Sequence, residues 1–295
     1  MSDLEVVPAA QLRAAAHAGG HVVGAYRGAA LVGFAYAMVA VAHGRGMSGT
    51  GLHSHMVAVS ANERGSGIGR SLKWFQRRLA LAQGLSWITW TFDPLQARNA
   101  KLNLEHLGAV SHDYLVDFYG PMSGPLGGGQ ASDRLLALWL LDSPKVRRLA
   151  GLQDPAGYEQ PMSGQGAATQ ASRVDDDGRA TGGQATWLLE PGDVEGHRAA
   201  GHDSLREAVV EVTRSFIAQH DPNKREPADE PSAVAKVAAP ISATELLASA
   251  PELASLWRCG MRAAMTEGLA AGLVVVGFQD GAYSLEFQSK MQAEL

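Results

Sequence analysis

Six consecutive residues, Arg64-Gly65-Ser66-Gly67-Ile68-Gly69, have the composition of an anion cradle. Three glycines at alternate positions remove the Cβ atoms that would hold a ligand off the main chain, so successive amide N–H groups can converge on a phosphate. The run is entered from the apolar, strand-like Met56-Val57-Ala58-Val59 and left through Leu72-Lys73-Trp74-Phe75, which reads as a helix. A helix starting there aims its N-terminal dipole at the same point, and Arg64 and Arg70 add positive charge. The alternative is a glycine-rich loop that only turns a strand into a helix. Just upstream, His53 and His55 are two residues apart on the entering strand and so project from one face. An imidazole titrating near pH ~6.5 suits proton removal at neutral pH, directly or through water. Two hydrogen-bonded sheet histidines are the other reading. A zinc site would need more ligands, and no cysteine or third ligand stands nearby, so no metal is expected.

Spacing narrows the phosphate ligand. A dinucleotide fingerprint needs a glycine where Arg70 stands, and a P-loop needs Gly-Lys-Ser/Thr, which is absent. What fits is Arg-x-x-Gly-x-Gly, from Arg64 through Gly67 to Gly69. Downstream, residues 87–92 alternate bulky and β-branched side chains as a buried strand does, stopping at Asp93-Pro94. Residues 98–107 have helical spacing, with Leu102, Leu104 and Leu107 on neighbouring turns, Asn99 and Asn103 on one face, and Gly108 as terminator. Residues 114–119 read as another strand. On these residues the chain resembles the GNAT superfamily of acyl-CoA-dependent N-acyltransferases, whose core runs strand, glycine loop, helix, strand, helix, glycine, strand. The resemblance is good over residues 5–142 and loose beyond. The string Thr91-Phe92-Asp93-Pro94-Leu95-Gln96-Ala97-Arg98-Asn99-Ala100-Lys101-Leu102-Asn103, with Leu52-His53-Ser54-His55-Met56 before the loop and Ser132-Asp133-Arg134-Leu135 after it, is similar to one subgroup of predicted acetyltransferases. Some of these are paired with N-acylamino acid racemases.

The resemblance implies an α/β fold with a mixed, mostly antiparallel GNAT-type sheet flanked by helices. It implies acetyl-CoA or another acyl-CoA as cosubstrate, held by the backbone of Val57, Ala58 and Val59 and by Arg64, Gly65, Ser66, Gly67, Ile68, Gly69 and Arg70. Asn99 inherits a coenzyme contact by position, with a solvated helix start as its alternative. His53 falls about where the family often carries a carboxylate base, and His55 is second choice. The tyrosine that often precedes the closing glycine by four residues is replaced by Leu104. Tyr114 and Tyr119 on the next strand are candidate acids by proximity, with ordinary aromatic packing as the alternative. An amino acid acceptor, implied by the subgroup, would need an arginine for its carboxylate, Arg98 or Arg134. Asp93 would read its ammonium or else cap a turn, and Asp133-Arg134 is alternatively an internal ion pair. The implied activity is acetyl or succinyl transfer to a small-molecule amine. The alternative is a sensor or assembly module that binds acyl-CoA without turnover, a reading favoured by Leu104 and by the short N-terminus. Family members usually place a strand and one or two helices before the first hairpin, and residues 4–18 leave room for one helix.

Composition agrees with such an enzyme. With 295 residues, 46% hydrophobic, the chain can bury a full core. A net charge of −5 argues against a nucleic-acid-binding face, and the local cations Arg64, Arg70, Lys73, Arg77 and Arg78 suit a polyphosphate better than a duplex. Cys259 is the only cysteine, which excludes an intramolecular disulfide. The apolar run 29–42 is shorter than the ~20 residues of a membrane span and is interrupted by Gly33. With residues 21–26 it reads as a β-hairpin. Asp3, Glu5 and Pro8 spoil any leader-like start, so no membrane partner and a cytoplasmic setting are expected.

Three units are expected: a GNAT-like catalytic domain over 1–145, a flexible linker over 146–185, and a C-terminal α/β domain over 186–295. The linker is rich in Gly, Gln, Ser, Ala and Asp, and its Asp175-Asp176-Asp177-Gly178 lacks calcium-loop spacing. In the last unit 187–189 reads as a strand. Residues 203–220 read as a helix with Leu205, Val209, Val212 and Phe216 on one stripe, followed by a polar stretch at 221–230. Residues 244–271 read as a helix ended by Gly272, and 273–278 with 282–287 as a hairpin around Asp280-Gly281. The unit offers no chemistry of its own, so it is assigned to the acceptor pocket, a homodimer contact or structural support.

Overall fold

The uncharged run Ala30–Val41 is a strand, as its β-branched and aromatic content favours. The computed structural model describes residues 7–42, 44, 47–120, 131–153, 185–220 and 233–288. After helix α1 (Ala9–His17), strands β1 (His21–Arg27) and β2 (Ala30–Val41) form an antiparallel hairpin through Gly28, whose φ of 60° suits the turn. Strand β3 (Thr50–Val59) pairs with β2 antiparallel, but Tyr36 faces Met56 while Ala37 faces Ser54. His55 is thus the extra residue of a bulge. Helix α2 (Ile68–Ala82) then packs Leu72, Lys73, Gln76 and Ala80 inward and leads to β4 (Trp87–Phe92). A short helix α3 (Ala97–Ala100) runs into a wide turn, Lys101–His106, before Gly108 and β5 (Val110–Leu115). Every core element expected in that order is present.

Strand β6 (Arg134–Leu140) inserts between β4 and β5, antiparallel to both. Neither it nor the following helix α4 (Pro144–Gln153) is announced by the sequence patterns above. The later elements are β7 (Ala185–Leu189), α5 (Pro191–Gly196), α6 (His202–His220), β8 (Val234–Ala238), α7 (Ala243–Ser249), α8 (Pro251–Ala270), β9 (Leu273–Gln279) and β10 (Ala282–Phe287). Asp280 and Gly281 both take positive φ, 52° and 78°, in the two-residue hairpin turn that Asp-Gly favours. Among the described residues the strands form one sheet in the order β1-β2-β3-β4-β6-β5-β9-β10-β8-β7. Only β3·β4 and β7·β8 are parallel, so the sheet is mixed and mostly antiparallel.

Some expected boundaries shift. The strand expected over 114–119 is Val110–Leu115, because the chain turns at Asp117, with φ 47°. The linker does not start at 146: α4 extends to Gln153 and Val146 is fully buried. Residues 154–184 and 221–232, with most of the expected linker and the Asp175-Asp176-Asp177-Gly178 run, lie outside the described residues. On α6 the buried stripe is Leu205, Val209, Thr213 and Phe216. Val212 is exposed, and Thr213 takes its place with its hydroxyl donated to the Val209 carbonyl. The helix expected over 244–271 is broken in two at Pro251. Among the described residues no helix is long and apolar enough to cross a membrane.

Candidate functional site

Strands β3 and β4 pair at only two positions, Leu52 with Ile88 and His53 with Thr89. Beyond them the strands diverge, and Val57, Ala58 and Val59 pair with β2 on one side only. The edge so bared opens on a cavity of about 630 Å³. Its far wall is the glycine run and the first turn of α2. Gly65 and Gly67 take φ of 89° and 86°, and Ser66 and Ile68 follow them, so the amides turn in alternate senses. Ser71 N–H is the first in α2 to reach a backbone carbonyl, that of Gly67 at 3.0 Å. Among the described residues the N–H groups of Gly65, Gly67, Ile68, Gly69 and Arg70 have no such acceptor. A set of unpaired N–H groups at a helix start is an anion site.

The cavity is lined by Val57, Ala58, Val59, Arg64, Gly65, Gly67, Ile68, Gly69, Arg70 and Asn99, all expected to hold the coenzyme. Ser66 is the exception: its hydroxyl is donated back to the Glu63 carbonyl at 2.6 Å, closing the turn and leaving the cavity. Arg98, expected to meet an acceptor carboxylate, instead lines this cavity, with Nη2 3.6 Å from where a Cβ on Gly65 would sit. Arg64, Arg70 and Arg98 form no ion pair among the described residues. Glu63 at the rim is neutralised by a bidentate bond from Arg27, both contacts 2.8 Å, and that hydrogen bond holds its carboxyl below the usual range. Lys101, Leu102 and His106 complete the lining and were not foreseen. The reason is the wide turn. An unbroken α-helix would have kept Asn103 beside Asn99, whereas Asn103 is buried and its carbonyl accepts from Ala109 N–H.

His53 stands at the last β3·β4 pair before the strands part. Its Nδ1 lies 3.1 Å from the Thr89 hydroxyl. His55, on the bulge, is exposed, with its ring 6.5 Å from that of His53 and edge-on to buried Tyr36 at 5.9 Å. The two imidazoles therefore do neighbour each other, and His53 is the one fixed by a partner on β4.

Other candidates are engaged elsewhere. Tyr114 donates to Asp133 Oδ2 at 2.7 Å, and burial followed by the Asp133 charge raises its pKa well above 10.0, so the proton it was expected to donate is engaged by Asp133. Asp93 caps its turn through Leu95 N–H and accepts both Nη groups of Arg258, at 3.2 and 3.1 Å, so it is not open to an ammonium. Arg134 donates to its neighbour's carbonyl and lies 5.2 Å from the Tyr119 ring centre. Asp133 pairs with Arg262, not Arg134. Cys259 lines a second cavity of about 540 Å³ with Arg206, Arg258 and Arg262, and burial pushes its thiol up. Among the described residues no group of three or more His, Cys, Asp or Glu could hold a metal ion.

No family model and no curated protein matches the chain. Among solved structures it is similar to a GNAT family acetyltransferase from Elizabethkingia anophelis with acetyl-CoA bound, at 13% identity over 45% of this chain and 83% of that one, TM-score 0.35. It is also similar to the ribosomal-protein-alanine N-acetyltransferase of Brucella melitensis, at 20% identity over 44% and 75%, TM-score 0.35. A third is a chain of the NatC complex bound to Gag peptide and CoA, at 14% identity over 37% of this chain and 61% of that one, TM-score 0.30.

Proposed function

We propose that the protein transfers an acyl group from acyl-CoA to the amine of a small molecule. The observation that carries this reading is the set of unpaired N–H groups of Gly65, Gly67, Ile68, Gly69 and Arg70, in a cavity that Arg64, Arg70 and Arg98 also line and that continues along the bared edge of β3. The cradle fits a diphosphate, and Val57–Val59 offer main-chain groups to the amides of a pantetheine arm. That arm leads back along β3 toward His53. There the imidazole takes a proton, directly or through water, from the attacking amine as its C–N bond forms and the C–S bond breaks. Thr89 orients the ring. With Tyr114 committed to Asp133, the thiolate takes its proton from solvent. Within this class an amino acid acceptor and an acetyl or succinyl donor are the specific choice, following the subgroup resemblance. The binding-only reading has one observation in its favour, the absence of a positioned phenol.

Free thiol release from acetyl-CoA and succinyl-CoA across an amine panel tests the reading. Turnover with at least one amine is expected, and His53→Gln should keep CoA affinity while lowering turnover by ~10²-fold or more. Tight CoA binding with no turnover for any amine would establish the sensor instead, and failure to bind CoA would remove both.

A further inference from the structure

The second half carries a cavity of its own, about 540 Å³, a size that suits a small molecule. It lies between α6 and α8. His202 Nε2 meets the Ser255 hydroxyl at 2.9 Å near the start of both helices, and Arg214 holds Glu267 further along both, so the two run side by side in one direction. Between these rungs the lining is Arg206 and Val210 on α6 with Cys259 and Ala263 on α8, in each pair one turn apart. The short side chains of Cys259 and Ala263 leave the space open. Glu267 is the one carboxylate among the described lining residues, and Arg214 takes both its oxygens, at 3.2 and 3.1 Å. The arginines are less fully spent. Arg258 gives both Nη groups to Asp93, and Arg262 gives Nε and Nη2 to Asp133, yet neither aspartate is among the lining residues. Those carboxylates fix the guanidinium planes from outside the cavity. Among the described residues Arg262 Nη1 has no partner, and the side chain stays 39% exposed. Arg206 has only Asp203, 3.7 Å away and 92% exposed, where such pairs count for little. Both guanidiniums act on one point, since Arg206 and Arg262 each pull the Cys259 thiol down against its burial. Free guanidinium donors from two helices, beside apolar Val116, Val210 and Ala263, match a carboxylate on an apolar body.

We infer that the furrow between α6 and α8 is a second ligand site, which takes a small organic carboxylate with its anionic end between Arg206 and Arg262. It shares no lining residue with the glycine-loop cavity, so it does not rest on the acyl-CoA reading. Cys259 supplies the probe, being the only cysteine in the chain and part of the cavity wall. Burial raises its thiol, so the full chain is alkylated with neutral iodoacetamide at about pH 9, with 3-phenylpropionate or the uncharged 3-phenylpropan-1-ol as protectant. Half-protection by the acid is expected at a concentration ~10-fold lower or better than by the alcohol, the value of one charge-assisted contact. In Arg206→Gln, an exposed position whose loss should leave the dichroism spectrum unchanged, the acid should fall to the level of the alcohol. Each variant is compared with its own unprotected rate, because Arg206 also shifts the thiol. No protection by the acid at ~10 mM, equal protection by acid and alcohol in the unaltered chain, or an advantage of the acid that survives Arg206→Gln overturns the site.

Discussion

Gly67 and Gly84 share a backbone requirement and differ in what surrounds them. Both take positive φ, 86° and 75°, and a Cβ on either would meet open space. Alanine at each should therefore cost about 1 kcal/mol or slightly more through left-handed strain alone. Only Gly67 aims its N–H into the cradle, so Gly67→Ala should also weaken CoA binding and Gly84→Ala should not. Paired thermal melts and CoA titrations check this, and equal loss of affinity in both would mean the cradle is not where the coenzyme sits. Glycine geometry is a property of the local chain, which is why Arg64 to Arg70 were legible as a cradle from residue types alone. Ser66 was not, since its side chain is decided by the carbonyl of Glu63 within reach. His106 needed knowledge of a helix widening that no spacing rule exposes.

At the scale of elements, α2 shows how a charge cluster misleads. Of the cations from Arg64 to Arg78, only Arg64 and Arg70 reach the cavity. Arg77 donates to the Leu141 carbonyl at 2.7 Å, and Arg78 lies 5.0 Å from the Phe75 ring centre. Lys73 is buried beneath the helix, its Nζ 3.4 Å from the centre of the Trp90 ring and without a hydrogen-bond partner. A ring face returns about 2 kcal/mol to a desolvated cation, while burying the charge costs several, so the site favours the neutral amine. Burial accordingly lowers the Lys73 pKa well below 10.5. Between that lowered value and ~10.4 the unfolded chain binds the extra proton, so this group's contribution to stability falls as pH falls. Lys73→Met should raise the urea midpoint at pH 7, and the gain should shrink by pH 9.5. A gain independent of pH would show that the ammonium stays charged in the fold. Amphipathic spacing located α2 correctly. It could not say that Lys73 falls on the buried face with Leu72 and Gln76.

The whole molecule is where local reading stops. Residues 186–295 looked like a separate domain because nothing local reveals that Ser111 pairs with Val275, and so that β9 continues the first sheet. Four further contacts bind the halves. Arg258 holds Asp93, Arg262 holds Asp133 at 2.7 Å, the Tyr283 hydroxyl donates to the Pro94 carbonyl at 2.6 Å, and Lys145 donates to the Val276 carbonyl at 2.7 Å. Burial alone would raise the Asp133 carboxyl, yet bonds from Arg262, Asp117 N–H and Tyr114 hold it below its usual value, so the aspartate stays charged. Trp90 and Phe92 belong to the same buried cluster as Trp257, Phe278 and Tyr283. The loop Asp93-Pro94 that these contacts grip leads directly into α3, so the second half steadies the wall that carries Arg98, Asn99 and Lys101. One cooperative unit is expected to unfold in one step. The molecule supplies two probes. Four of the six tryptophans, 74, 87, 90 and 139, lie in the first half and weight fluorescence toward it, while far-ultraviolet dichroism is weighted by α6 and α8, of 19 and 20 residues, in the second. Their urea midpoints should coincide. Separated midpoints would restore two independent domains and leave α3 without its outside support.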